Sequence, residues 1–151
     1  MAQKNDEVVV PQGIIFNWGE YLGKRANYVL KHMGYGTMTL YPQRGQTTSD
    51  DYIVFDYADR DVLFFIRNGL VVEIRFLATF SEKVFNLSIG MTREQVEAIL
   101  GKPDRTARAA EIGFGKPFAH VLIYSNMERF DFTIEVVFDE GWRVNQINIY
   151  P

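Results

Sequence analysis

Ile89-Gly90-Met91-Thr92-Arg93-Glu94-Gln95-Val96-Glu97-Ala98-Ile99-Leu100-Gly101-Lys102-Pro103-Asp104 spells out one complete helix with its own start and stop. Thr92 has the hydroxyl of an N-cap, and Gln95 stands three residues on, where a capping box needs it. Val96, Ile99 and Leu100 form one apolar face. Gly101 follows as a left-handed C-terminal cap, and Pro103 forbids continuation. The stretch accounts for itself as structure and makes no demand on chemistry.

Working outward, Leu22 to Gly34 reads as an earlier helix, with Tyr28, Val29, His32 and Met33 on one face and Gly34 and Gly36 as its stop. Gly23 to Gly34 spans eleven positions, as does Gly90 to Gly101, and Val29 then aligns with Val96. A fixed spacing of this kind is the mark of an internal repeat. Downstream of each helix the pattern recurs. Thr37–Tyr41, Tyr52–Tyr57, Val62–Ile66 and Leu70–Phe76 follow the first; Ala119–Tyr124, Phe130–Phe138 and Trp142–Tyr150 follow the second. Asn68-Gly69 suits a two-residue type I′ hairpin, and Asp139-Glu140-Gly141 a three-residue loop closing on a left-handed glycine. Phe130, Phe132, Ile134, Val136 and Phe138 alternate with Asp131, Thr133, Glu135 and Val137; Val72, Ile74 and Phe76 alternate with Val71, Glu73 and Arg75. That is the signature of sheets with one buried and one wetter face.

The expected architecture is α+β: two similar units, each a helix packed on an antiparallel β-sheet of three to four strands and closing with a hairpin. The expected boundaries are a flexible N-terminal arm over residues 1–12, a first unit over 13–80, a connection over 81–88 and a second unit over 89–151.

Composition narrows the function. The 151 residues carry sixteen basic and nineteen acidic side chains, a slight negative excess that argues against a nucleic-acid or anionic-membrane surface. No cysteine is present, which excludes disulfides, thiolate metal sites and a cysteine nucleophile. The start, Met-Ala-Gln-Lys-Asn-Asp-Glu, is acidic where a signal peptide is basic, and Pro11 cuts the apolar run Val8–Val10. Membrane insertion is therefore not expected, and the expected compartment is the cytoplasm.

Motifs for catalysis are missing from the pattern. His32 and His120 have no acid or second histidine at ligand spacing, and Gly113-Phe-Gly115-Lys116 lacks the context of a phosphate cradle. Ser49, Ser81, Ser88 and Ser125 sit in no nucleophile elbow. The chain reads as a non-enzyme without cofactor or metal. What remains is surface: Asp50, Asp51, Asp56, Asp59 and Asp61 interleaved with Tyr52 and Tyr57, and a second acidic run that includes Asp131 and Glu135, with Trp142 beside a turn. Such runs commonly solvate sheet edges against aggregation. They equally form an acidic, aromatic-bearing surface for a basic protein partner.

Ile89–Asp104 resembles the Gly-Met-Thr-x-x-x-Val-x-x-x-Leu-Gly-x-Pro motif of outer-membrane assembly lipoproteins of the small protein A type. It is also similar to the helical segments of β-lactamase-inhibitory-protein-like domains, in which an α+β unit can occur in tandem and a sheet face grips a partner. The layout further resembles bacteriocin (pyocin-type) immunity proteins. These resemblances imply a protein-binding inhibitor, first of all an immunity protein occluding the functional surface of a cognate bacterial toxin domain. A nuclease toxin, with its basic surface, would suit the acidic runs. The alternative they imply is an envelope or assembly scaffold module. An exposed sheet edge could also pair two copies of the chain as a homodimer.

Overall fold

The computed structural model describes residues 18–41, 52–109, 118–125, 127–128 and 130–151. A short 3-10 turn at Trp18–Tyr21 leads into α1 (Ala26–Met33), followed by β1 (Thr37–Tyr41), β2 (Tyr52–Tyr57), β3 (Val62–Arg67) and β4 (Leu70–Phe76). Then come α2 (Arg93–Leu100), β5 (Arg105–Arg108), β6 (Phe118–Tyr124), β7 (Thr133–Asp139) and β8 (Val144–Tyr150).

The chain does not fold as two helix-on-sheet units. Its described strands form one eight-stranded antiparallel sheet in the order β1-β2-β3-β4-β8-β7-β6-β5, with only two short α-helices. The join is the pairing of β4 with β8, in the register Ile74↔Ile149, Arg75↔Asn148 and Phe76↔Ile147. Left apart, these strands would each present an unpaired edge beside fully buried isoleucines; paired, they satisfy both ladders and merge the cores. One large hydrophobic cluster accordingly runs from Trp18 and Val29 through Phe64 and Ile74 to Val96, Phe138 and Ile149, and a smaller one gathers Ala109, Val121, Ile123 and Val137. Phe80, Val84, Phe85 and Leu87, between β4 and α2, are buried in the same cluster.

α2 starts as its sequence reads, while Gly101 at its end (φ 86, ψ −165) is not in the left-handed helical conformation expected of it. Thr92 Oγ1 accepts from the Gln95 amide at 3.2 Å, and the Gln95 side chain accepts from the Thr92 amide at 2.9 Å. Backbone bonds then fix the helix start to β8: Gly90 N–H to Val144 O and Val144 N–H to Met91 O, both 2.8 Å. α1 is held to β4 in the same manner, by Gly23 N–H to Val71 O at 2.9 Å and Val71 N–H to Lys24 O at 2.8 Å. At the far end of each helix a buried tyrosine hydroxyl donates to the terminal glycine carbonyl. Tyr57 reaches Gly34 at 2.8 Å and Tyr124 reaches Gly101 at 2.9 Å.

Two local readings are corrected. Asn68 and Gly69 both have positive φ, as a type I′ turn requires, but in the other hairpin the left-handed residue is Trp142 (φ 58), not Gly141. Asp139 N–H bonds to Arg143 O at 2.9 Å, so the loop is Glu140-Gly141-Trp142, one residue later than the sequence suggested. In β4, a register shift opposite Phe65 and Ile66 places Val71 in the core and leaves Val72 half-buried, breaking the expected alternation.

Candidate protein-binding face

Both helices cover one face of the sheet. The other carries a second, smaller buried cluster of Ala109, Val121, Ile123 and Val137 at its β5–β7 end, and partly exposed polar side chains nearer its middle. On this outer face the register places Tyr52, Val54 and Asp56 of β2 beside Leu63 and Phe65 of β3. Glu73 and Arg75 of β4 follow, next to Asn148 of β8, and Glu135 of β7 pairs with Asn148 in turn.

The centre of the face, over the β4–β8 join, is a polar network. Arg75 Nε donates to Glu73 Oε2 at 2.6 Å, while its guanidinium lies 4.4 Å over the Phe65 ring. Glu135 accepts from Asn148 Nδ2 at 3.1 Å and from Tyr150 Oη at 2.7 Å. Gln146 Nε2 donates to Asn148 Oδ1 at 2.8 Å. Asn148 is fully buried and Gln146 nearly so, and among the described residues no buried side-chain polar atom lacks a partner. A satisfied network of this kind is rigid. Burial pushes the Glu73 carboxyl above its ordinary value, opposed by its hydrogen bond and charge pairing with Arg75 and reinforced by the nearby Glu135 charge. Burial also raises the Tyr150 hydroxyl, with the hydrogen bond to Glu135 adding to it.

Flanking the network, the Arg67 guanidinium lies 5.2 Å over the Tyr52 ring, which meets Phe65 edge-on at 5.7 Å. Tyr52, Arg67, Val72, Glu73, Tyr150 and Pro151 line a cleft of about 330 Å³ there. The face thus offers paired charges and aromatic rings around a shallow hollow, the residue types that anchor protein partners.

The sequence-derived residues separate into several places. Tyr52, Asp56 and Glu135 stand on the outer face. Tyr57 points the other way into the core, where burial pushes its hydroxyl up to about 12. Asp59 is exposed in the turn after β2, and the Asp61 carboxylate accepts from the Thr79 amide at 2.8 Å, fixing that turn. Asp131 lines a separate hollow with Lys24, Phe132 and Pro151. Trp142 is stacked 3.8 Å from the His120 ring, with the Arg93 guanidinium 4.8 Å over it. Asp50 and Asp51 lie outside the described residues. Sequence reasoning passed over Glu73, Arg75, Gln146, Asn148 and Tyr150. They look like ordinary solvated alternate positions until the β4–β8 pairing gathers them.

Among the described residues no cluster of three or more His, Asp or Glu side chains is placed to hold a metal ion, and no helix is long and apolar enough to cross a membrane.

Residues 80–111, about a fifth of the chain, match the Outer membrane protein assembly factor BamE domain. The matched segment holds the buried Phe80, Val84, Phe85 and Leu87, the capped α2 and β5. The resemblance of Ile89–Asp104 to the outer-membrane assembly lipoproteins is thereby supported. In fold, the chain is similar to an extracellular protein containing a SCP domain from Bacillus anthracis str. Ames, at 14% identity and a TM-score of 0.62 over 89% of this chain and 45% of that one. It is also similar to a DUF4309 family protein (YjgB) from Bacillus subtilis subsp. subtilis str. 168, at 16% identity and a TM-score of 0.53 over 92% and 82% of the two chains. A third likeness is to a cysteine-rich secretory protein from Staphylococcus aureus subsp. aureus Mu50, at 15% identity and a TM-score of 0.57 over 89% and 46%. The chain thus spans less than half the length of the first and third of these proteins. No curated protein matches it in sequence.

Proposed function

We propose that the protein is a non-enzymatic, protein-binding scaffold of the envelope-assembly kind, which holds its partner on the outer face of the sheet over the β4–β8 join. The observation that carries this reading is the adjacent pair of polar groups, Glu73–Arg75 and Glu135–Asn148–Tyr150, satisfied and mostly buried, beside the Tyr52 cleft. Each carboxylate there ends on a neighbouring donor, which suits recognition better than proton transfer. Support for the assembly class comes from the BamE-domain match at 80–111.

Toxin neutralisation, the first choice from sequence, has no support from the comparisons and gives way to the assembly reading. With it goes the preference for a purely cytoplasmic location. Affinity capture from fractionated native host, with bound proteins identified by mass spectrometry, tests both points. Recovery of envelope assembly components from the envelope fraction is the expected result. A stoichiometric toxin recovered from the cytoplasm would restore the immunity reading, and turnover of a substrate would remove the non-enzymatic one.

A further inference from the structure

Among the described residues the sheet has two edges, and they differ in chemistry. β5 is four residues long and carries exposed Arg105 and Arg108. Short, charged edge strands resist pairing with another chain. β1 runs Thr-Met-Thr-Leu-Tyr without a charge, and among the described residues no strand pairs with its outward side. An antiparallel edge strand turns alternate N–H and C=O groups away from its neighbour. Among the described residues β1 therefore presents an open ladder, and its sequence places no charge there to repel a newcomer.

The ground beside that edge is apolar. Met38 is 57% exposed and Ile53, on the adjacent strand, 40% exposed. Both stand on the helix side of the sheet, at a groove of about 450 Å³ between α1 and strands β1 to β3, lined by Ala26, Leu30, Met38, Ile53, Phe55 and Ile66 among others.

We propose that the β1 edge and this groove together accept an extended, uncharged segment of a partner protein, apolar at alternate positions, which adds to the sheet as a further strand. Backbone pairing along β1 supplies affinity, and side chains at period two fill the groove beside Met38 and supply selectivity. Area argues for a peptide segment over a second copy of the chain. Self-pairing of a five-residue strand falls far short of the ~1,200–2,000 Å² that a stable interface buries, whereas strand addition with pocketed side chains is a recurrent mode for short segments. This edge site lies on the helix side of the sheet and shares Tyr52 with the outer-face cleft.

Short random peptides displayed on phage, selected on the full chain and counter-selected on Met38→Lys, give the test. Met38 is exposed, so the lysine leaves the fold intact. The expected peptides alternate apolar and polar residues. The best of them loses about tenfold or more in affinity, ~1.4 kcal/mol, on Met38→Lys and on N-methylation of the amides along one of its edges, and none on Ala98→Lys of α2. Peptides without a period-two pattern, binding indifferent to Met38→Lys or to methylation, or no recovered peptide would overturn the proposal. A wild-type dimer that Met38→Lys dissociates would assign the edge to a second copy, and would overturn it equally.

Discussion

Gly101 shows how much a single position can state. Its φ of 86° with ψ of −165° lies in a region open essentially to glycine alone, rather than in the left-handed helical region that the cap pattern implied. Nothing stands within 4 Å of a Cβ built there, so the cost of a side chain is conformational. Gly101→Val is expected to destabilise by about 1 kcal/mol or more in urea unfolding; a neutral result would refute the backbone geometry. The Gly101 carbonyl also accepts from Tyr124, whose hydroxyl burial pushes up to about 12. The folded state thus keeps its proton above the pH at which the unfolded chain releases it near 10, so stability falls as pH rises from about 10 towards 12. Tyr124→Phe is expected to cost about 1 kcal/mol at neutral pH and to lessen this alkaline fall, to which Tyr21, Tyr57 and Tyr150, also raised by burial, contribute as well. Denaturant midpoints across that range check both effects.

The elements were largely legible in the sequence because their signals are local. The Thr92–Gln95 box, the Asn68-Gly69 turn and the bounds of β1, β2 and β4 follow from spacing and turn chemistry. The frame of the Glu140-Gly141-Trp142 loop was not legible. A tryptophan at φ 58° is disfavoured locally, and its stacking between His120 and Arg93 comes from strands and helix far off in sequence. The bulge at Val71–Val72 is similarly decided by β3. The two helices differ in their starts: Arg25 precedes α1 without a side-chain cap, whereas Thr92 caps α2. Thr92→Ala is expected to cost ~1 kcal/mol, and Arg25→Ser to gain about 0.5–1 kcal/mol, because its backbone already has the extended conformation of a cap. Thermal unfolding of the two variants should move in opposite directions; shifts of the same sign would contradict this.

At the scale of the molecule, sequence reasoning failed at one pairing. Nothing in Leu70–Phe76 or Val144–Tyr150 marks the other as its neighbour, since a strand's sequence tells its faces and not its partner. With that pairing unseen, two units were expected where one sheet exists, and the Glu73–Glu135 network had no place to form. Tyr52 and Glu135 were named from the sequence because aromatic and acidic residues stand out alone; their buried neighbours Asn148 and Gln146 do not. If the join holds the molecule together, Ile149→Ala, at a fully buried position opposite Ile74, should cost ~2–5 kcal/mol and leave one unfolding transition for all strands. Hydrogen exchange would then show β2 and β6 losing protection together; two separate transitions would argue against a single cooperative sheet.

The most direct test of the binding face is photo-crosslinking in the native host. Benzoylphenylalanine is placed at Val72 in the outer-face cleft or at exposed Ala98 on α2. A discrete protein adduct is expected from position 72 and none from position 98. An adduct from 98 alone would show that the partner sits on the helices, and would contradict the assignment of the outer face.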